Sequence, residues 1–385
     1  MTQAVYINRV SAFLPHEPVC NDQMEQRLGM VGDKPSRARK IILRSNGIRS
    51  RHYAIDPVTL APSYSNAQLS AEAIRGLCDE AMPLEQIDCL VASSSQPDQM
   101  MPNHAVMVHG ELGNPACEVV ATSGICLCGM TALKYAWMSV ALGQSEDAVA
   151  CGSEVASNLM RASNFSAEYE QRAEQLAKQP ELAFEKDFLR WMLSDGAGAV
   201  RLSQQPNQIG LSLRIDWLDI LSFANELPAC MYAGADYKNG KLKSWSRYSA
   251  QERNARSVLA VKQDVKLLNE NIVKYTVVKA LRKIMHKRDL QADKIDYFLP
   301  HYSSEFFRER LADGMREVGL EIPYERWFTN LTSKGNTGSA SIFIILEELF
   351  NSDRLRAGET LLCYVPESGR FSSAFMQLTV VGNEA

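Results

Sequence analysis

Ser123-Gly124-Ile125-Cys126-Leu127-Cys128-Gly129-Met130-Thr131-Ala132-Leu133, running on to Leu142-Gly143, is the stretch on which the reading of this chain turns. From Gly129 to Leu142 it is rich in Ala, Leu and Met and has no proline, and Gly143 supplies a stop. That composition predicts a helix with a cysteine at its first turn. Leu127, Met130, Ala132, Leu133, Tyr135, Ala136, Trp137, Met138, Val140, Ala141 and Leu142 make it apolar on nearly every side, as a buried helix is. Unpaired N–H groups and partial positive charge at a helix N-terminus favour thiolate over thiol, so Cys126 is a candidate nucleophile. A thiol at the foot of a buried helix is reached only through a tunnel, which suits a long, thin substrate.

Outward from that helix, strand-like and helix-like runs alternate. Ile87-Asp88-Cys89-Leu90-Val91-Ala92-Ser93 reads as a buried strand after an Ala-rich helix from Asn66 to Met82. Ala148-Val149-Ala150-Cys151-Gly152 and Ala197-Gly198-Ala199-Val200-Arg201-Leu202 read as two more strands. The alternation predicts a layered α/β fold. An internal repeat sharpens it. Gln86-Ile87-Asp88-Cys89-Leu90 recurs in pattern as Lys294-Ile295-Asp296-Tyr297-Phe298-Leu299, the second after an amphipathic helix from about Leu267 to His286. Asp88 pairs with Asp296 at an offset of 208 residues, Cys126 with Asn336 at 210 and Cys151 with Cys363 at 212. This slow drift is what two diverged halves produce, here divided as 1–210 and 211–385. Cys126 and Asn336 then occupy equivalent helix starts and meet between the halves. Two regions break the symmetry: Ser157 to Arg190, a polar and apolar helical excursion, and Ser222 to Arg256, irregular and rich in Tyr, Trp and Ser.

Composition sets the class. A chain of 385 residues with 46% hydrophobic residues can bury a large core. A formal charge of −4 gives no reason to expect nucleic acid as a partner. Nine cysteines, an odd number scattered through apolar runs, suit free thiols in a reducing compartment. The first residues read as a strand and not as a signal peptide, and no apolar run has the length of a membrane span. A cytoplasmic protein is expected.

Three polar residues interrupt apolar sequence where α/β folds place reactive groups, at strand ends and helix starts. They are Cys126, His301 after Tyr297-Phe298-Leu299-Pro300, and Asn336 before the apolar run Ile342 to Phe350. Cysteine suits thioester formation, and histidine and asparagine suit donation to an oxygen gaining negative charge. Each alone has a plainer reading: a buried small side chain, a bonded core histidine, a cap or turn. No dinucleotide or zinc site is expected, because Gly196-Ala197-Gly198 lacks the third glycine and Cys126 and Cys128 lack a second ligand pair. No cofactor or metal is called for. The basic segment Lys34, Arg37, Arg39, Lys40, Arg44, Arg49, Arg51 suits an acidic carrier protein or a phosphate, or is a solvated surface.

These residues resemble the ketoacyl synthase III branch of the thiolase superfamily. Asn46-Gly47-Ile48-Arg49-Ser50-Arg51-His52 is similar to the family's T-G-I-R-x-R-H. Met101-Pro102-Asn103 with Leu112-Gly113 is similar to F-P-S…L-G, and Gly152-Ser153-Glu154 to G-S-D or S-E. Ser194-Asp195-Gly196-Ala197-Gly198-Ala199 resembles G-D-G-A-G-A, Leu299-Pro300-His301 resembles V-P-H, and Gly335-Asn336-Thr337 resembles G-N-T. The resemblance implies a thiolase-like duplicated α/β/α/β/α fold, a homodimer and a Cys-His-Asn site. Plant-type synthases carry C-F-A-G-G-T-V-L, whose spacing favours Cys126 over Cys128 as the reactive sulfur.

The departures are specific. Pro366-Glu367-Ser368-Gly369-Arg370-Phe371 stands in place of the family's G-G-G-F loop, with Phe371 as the substrate contact. Phe306 takes the place of a carrier-contacting arginine. These features are most similar to the DarB-type ketosynthase/cyclases of dialkylresorcinol and bacterial stilbene pathways. That subgroup condenses a β-ketoacyl thioester with a second, often α,β-unsaturated, acyl thioester to a cyclohexane-1,3-dione. By analogy, Cys126 holds one acyl chain, His301 and Asn336 stabilise the enolate or oxyanion, Glu154 serves ring closure, and Met101 reaches into the partner's acyl pocket. Carrier-protein or coenzyme A thioesters are the implied substrates. Two alternatives stay open: a ketoacyl synthase III that elongates a primer with malonyl carrier protein, and a non-catalytic acyl-binding homologue.

Overall fold

The computed structural model describes residues 3–31, 35–36, 38–166, 188–238 and 240–383. Nine strands form one sheet: β1 (Tyr6–Phe13), β2 (Cys89–Ser94), β3 (Glu118–Ser123), β4 (Asp147–Glu154), β5 (Gly196–Ser203), β6 (Gly210–Ser222), β7 (Tyr297–Pro300), β8 (Thr360–Glu367) and β9 (Ser372–Asn383). Their order is β7-β8-β9-β6-β1-β5-β4-β2-β3. From the β1/β6 seam outward the two sides match. β1 meets β5 antiparallel, β5 meets β4 antiparallel, and β4 meets β2 parallel. On the other side β6, β9, β8 and β7 repeat the same three relations. The strand that would answer β3 is reduced to a single parallel bridge between Phe298 and Trp327.

Among the described residues, seven α-helices build the layers around this sheet, beside shorter ones in the loops: α1 (Asn66–Arg75), α2 (His104–Leu112), α3 (Cys128–Ala141), α4 (Val265–Val273), α5 (Ala280–Lys287), α6 (Arg308–Glu317) and α7 (Ser341–Phe350). The strands alternate faces, and that alternation builds three cores. Cys89 and Val91 of β2 and Leu361, Cys363 and Val365 of β8 enter a middle cluster with Met130, Leu133 and Ala136 of α3 and Phe343, Ile345 and Leu346 of α7. Leu90 and Ala92 face α1 and α2 through Leu69, Ile74 and Val108. Leu362 and Tyr364 face α4 to α6 through Leu268, Leu281 and Leu311. Helix, half-sheet, helix, half-sheet, helix is the five-layer thiolase-like arrangement.

The repeat has a local cause. Asp88 lies just before β2, and its carboxylate accepts from Asp147 N–H at 3.2 Å, the first residue of β4. Asp296 lies just before β7 and accepts from Thr360 N–H at 2.8 Å, the first residue of β8. Each aspartate fixes the register of a parallel pair, and Cys151 and Cys363 fall on the equivalent strands β4 and β8.

Some element bounds differ from the sequence expectation. The helix expected to reach Met82 ends at Arg75, because Gly76 follows and Asp79 ties the next turn through Ala81 and Met82 N–H. The helix expected over 267–286 is interrupted by a wider π turn, Lys274–Lys279. There Thr276 Oγ1 bonds Ile272 O at 2.6 Å and Tyr364 Oη at 2.7 Å, drawing the backbone out of α geometry. Helix α3 is less enclosed than its composition predicts: Met138 is 42% exposed, and Tyr135 and Trp137 are half-buried. The excursion Ser157 to Arg190 lies outside the described residues over 167–187. Within Ser222 to Arg256 a two-stranded hairpin forms, Ala235–Lys238 with Lys241–Ser244.

Candidate active site

Helix α3 begins at Cys128, and Cys126 lies in the turn ahead of it, two residues earlier than the first helical position. The two thiols have different environments. Cys128 is 1% exposed and its Sγ donates to Ile125 O at 2.9 Å. Cys126 is half-buried, at the margin of the middle cluster. Of the two residues only Cys126 keeps any exposed surface beyond a trace.

The expected depression of the Cys126 thiol by the helix start is not what the structure gives. Burial pushes this thiol up, and the carboxylates of Glu367 and then Glu154 push it further. Donation from its own backbone N–H is the single opposing influence. Desolvation and two nearby negative groups outweigh a helix terminus. The resting group is a thiol.

Asn336 stands between Gly335 and Gly338, both with positive φ, 71° and 55°. Its backbone is locked to the loop before β5: its N–H donates to Met192 O at 3.1 Å, and Ser194 N–H donates to its carbonyl at 2.8 Å. Its side-chain Oδ1 accepts from Gly338 N–H at 3.0 Å. With the oxygen so occupied, the amide presents its NH2 end as a donor. The turn that follows, Gly338–Ala340, abuts the start of α3. A Cβ on Gly129 would lie 2.3 Å from Ser339 O, and one on Gly152 2.5 Å from the same atom. Two glycines are what allow the Cys126 and Asn336 helix starts to approach this closely.

His301 extends β7 by one residue, its N–H donating to Tyr364 O on β8 at 2.8 Å. It is 3% exposed. Among the described residues its imidazole has no hydrogen-bond partner, and burial lowers its pKa to about 4. The ring is neutral at pH 7 and carries one N–H to donate.

Glu154 ends β4 and is fully engaged. Its Oε1 accepts from Ser95 N–H at 3.0 Å and Ser339 N–H at 3.2 Å, and its Oε2 from Ser95 Oγ at 2.6 Å. It clamps the end of β2 to the Asn336 turn. Burial raises its pKa, and these hydrogen bonds partly offset the rise. Met101 is 85% exposed on the loop before α2. Phe371 is fully buried, its ring against Tyr275 at 6.1 Å, and it backs the turn after β8. The basic segment does not form one patch. Arg51 is buried, donating to Asn21 Oδ1 and Trp191 O, and Arg39 pairs with Glu25. Lys40, Arg44 and Arg49 are exposed, while Lys34 and Arg37 lie outside the described residues.

Sequence reasoning missed three participants. Ser95 and Ser339 are unremarkable in composition, and only the fold brings them to Glu154. Glu367 was visible as a departure in the C-terminal loop, with no partner assigned. In the structure its Oε2 accepts from Ile125 N–H at 2.9 Å, on the turn that carries Cys126. Asp195 is buried and structural: its carboxylate accepts from Ala54 N–H at 2.7 Å and Ser157 N–H at 2.9 Å, tying two loops around the site.

Residues 285–371 match the model of the 3-oxoacyl-[acyl-carrier-protein] synthase III C-terminal domain. Solved structures with similar folds cover almost the whole chain. The tetronic acid condensing enzyme AbyA1 aligns with a TM-score of 0.75 at 19% identity, over 97% of this chain and 99% of that one. The 3-oxoacyl-(acyl carrier protein) synthase III FabH of Pseudomonas aeruginosa PAO1 gives 0.72 at 18% identity, over 99% of both. OleA of Xanthomonas campestris, with bound lauric acid and lauroyl-CoA, gives 0.72 at 18% identity, over 98% of this chain and 100% of that one. The fold is theirs, and the domain match supports the ketoacyl synthase III branch of the thiolase superfamily. No helix of the described residues is long and apolar enough to cross a membrane.

Proposed function

We propose that this chain is an acyltransferase of the β-ketoacyl synthase type, forming a carbon–carbon bond between two acyl thioesters. The observation that carries the reading is the packing of the Cys126 turn and the Asn336 turn across Gly129 and Gly152. That contact packs the helix start just after Cys126 against the turn just after Asn336, whose Oδ1 is already bonded so that its NH2 end is left to donate. Cys126 takes one acyl group as a thioester. His301, neutral and with one N–H, and Asn336 donate to the oxygen that gains charge as the second substrate attacks. Residues 1–210 form the half that carries the nucleophile, and 211–385 the half that carries the two donors.

The finer reading is a DarB-type ketosynthase/cyclase. A β-ketoacyl thioester and a second, α,β-unsaturated acyl thioester join and close to a cyclohexane-1,3-dione, for dialkylresorcinol or stilbene synthesis. Glu154 supports it. A carboxyl raised by burial and held between Ser95 and Ser339 is poised for proton transfer during ring closure. Carrier-protein or coenzyme A thioesters deliver the chains, Lys40, Arg44 and Arg49 offering surface charge for an acidic carrier. The working unit is a cytoplasmic homodimer, in which exposed Met101 enters the partner's pocket and Phe371 supports the wall of its own.

The C-terminal domain match also suits a second reading, elongation of a primer with malonyl carrier protein. Mass spectrometry of products from a panel of β-ketoacyl and enoyl thioesters separates the two. A cyclic dione that has released one thiol in ring closure, and that carries the second thioester carbon as a ring carboxyl derivative or has lost it by hydrolysis and decarboxylation, is expected. An open-chain β-ketoacyl thioester from every pair sinks the cyclase assignment. Cys126→Ala is expected to abolish both the product and the acyl adduct on the enzyme. Unchanged turnover in that variant refutes the condensing activity itself.

A further inference from the structure

Glu367 is the one acidic group at the site with a position and no role. It ends β8, and the turn after it, Ser368 to Phe371, replaces a glycine-rich loop. Its Oε2 takes Ile125 N–H at 2.9 Å, and Leu127 N–H also donates to this carboxylate, so it is bonded on both sides of Cys126. It packs tightly there: a Cβ on Gly124 would sit 3.1 Å from Oε2, and one on Gly369 3.3 Å from Oε1. Unlike Glu154, which is 5% exposed, it is half-buried, as Cys126 is.

The other candidates for proton acceptance are spoken for. Glu154 is assigned to the separate ring closure, and its carboxylate is held by three hydrogen bonds from Ser95 and Ser339, whereas Glu367 is bonded to the Cys126 turn itself. His301 is neutral, and with a pKa near 4 it is a weak base. Asn336 has no basic atom free, since Oδ1 is bonded to Gly338.

We propose that Glu367 is the base of the condensation, taking a proton from the α-carbon of the second substrate and returning it to the sulfur of Cys126. The inference rests on Cys126 holding the acyl group. The balance closes without any added reactant. The C–H electron pair becomes the enolate, and its proton goes to the Glu367 carboxylate. The enolate carbon bonds to the thioester carbonyl carbon on Cys126. Collapse of the tetrahedral intermediate breaks the C–S bond, and the departing sulfur takes the proton from Glu367, leaving thiol and carboxylate as before. No carbon dioxide is lost. The partner substrate is therefore an uncharged acyl or β-ketoacyl thioester and not a malonyl group, whose own carboxylate would enter a site already holding Glu154 and Glu367. A carboxyl raised by burial is a better base than one in water, and Glu367 is raised.

The test compares Glu367→Gln and Glu367→Asp with the parent in two separate steps. Acylation of Cys126 by an enoyl thioester is followed by intact mass. Condensation of the acylated enzyme with a β-ketoacyl thioester is followed in a single turnover. Glu367→Gln keeps an acceptor for the backbone N–H groups, so acylation is expected within about threefold of the parent. Condensation is expected to fall by about 10²–10⁴-fold, the usual loss of a general base, with partial recovery in Glu367→Asp. Condensation at the parental rate in Glu367→Gln overturns the proposal. So does an equal loss in both steps with no recovery in Glu367→Asp, which marks a structural role. A parent enzyme that no thioester acylates on Cys126 refutes the underlying functional reading instead, and this proposal with it.

Discussion

Gly129→Ala is the most informative single perturbation of this site. The added Cβ would sit 2.3 Å from Ser339 O and 2.9 Å from Phe343 Cε2, while real Cβ contacts stay above 3.0 Å. The backbone carbonyl cannot rotate away, so the turn Gly338–Ala340 must retreat by at least 0.7 Å from the start of α3. Asn336 moves with it through the Gly338 N–H bond to its Oδ1. The stability change is small because two effects oppose. Overpacking costs about 1–3 kcal/mol, and alanine gains about 1 kcal/mol over glycine in a helix. A net loss of about 0–2 kcal/mol follows, a fall in Tm of at most about 4 °C. Activity is the sensitive quantity, since a displacement near 1 Å costs about 10²-fold in rate. The assay is kcat/KM for condensation beside thermal unfolding, with Gly110→Ala as the control. Gly110 lies in α2, and a Cβ added there would meet no atom within 4 Å, so that variant is expected to keep full activity. A Gly129→Ala enzyme with more than half the parental kcat/KM refutes the claim that this contact sets the spacing of Cys126 and Asn336.

Two further outcomes follow from the same geometry. Mapped by peptide mass spectrometry, iodoacetamide is expected to label exposed Cys20 fast, Cys126 slowly because its thiol is pushed up, and Cys128, enclosed and bonded to Ile125 O, not at all; Cys126→Ala should remove the adduct from the 126–128 turn and Cys128→Ala should leave it there. His301 has its folded pKa near 4, below the ordinary 6.5. The unfolded chain therefore binds the extra proton first, and stability is full above about pH 6.5, falls toward pH 4 and is level below it. The loss is up to about 3 kcal/mol, and urea midpoints between pH 6.5 and 4 should drop less in His301→Gln than in the parent.

The sequence showed the skeleton of this site but little of what surrounds it. Helix α7 and the strands β2, β4, β5 and β7 were legible within a residue or two, because continuous apolar runs mark buried strands and helices directly. The repeat was legible because the two aspartates that set strand register also survive at matching positions. The long strands β6 and β9 were not assigned. In β6 the sequence runs Arg214, Ile215, Asp216, Trp217, mixing charges into a buried element whose carboxylate Asp216 is bonded by Arg214 and Thr379. The thiol's ionisation was misjudged for a similar reason. A helix start is readable in one dimension, whereas Glu367, 241 residues later, reaches the same turn only through the fold.

The seam between β1 and β6 is made of just two residue pairs, Tyr6 with Arg214 and Ile7 with Leu213. Such a ladder is too short to couple the two sides of the sheet. Much of the coupling falls to the middle cluster, which gathers side chains from both sides, helped by the cluster under α4 to α6, which also takes in Met24, Ile42 and Trp191 from the first half of the chain. Amide hydrogens in α1 and α2, whose cluster holds side chains of the first half alone, should therefore exchange through local openings of that side. Those of α3 and α7 exchange only when the whole molecule comes apart. The turns bearing Cys126 and Asn336 are anchored to the elements that open last, so their spacing outlasts every partial fluctuation of the protein.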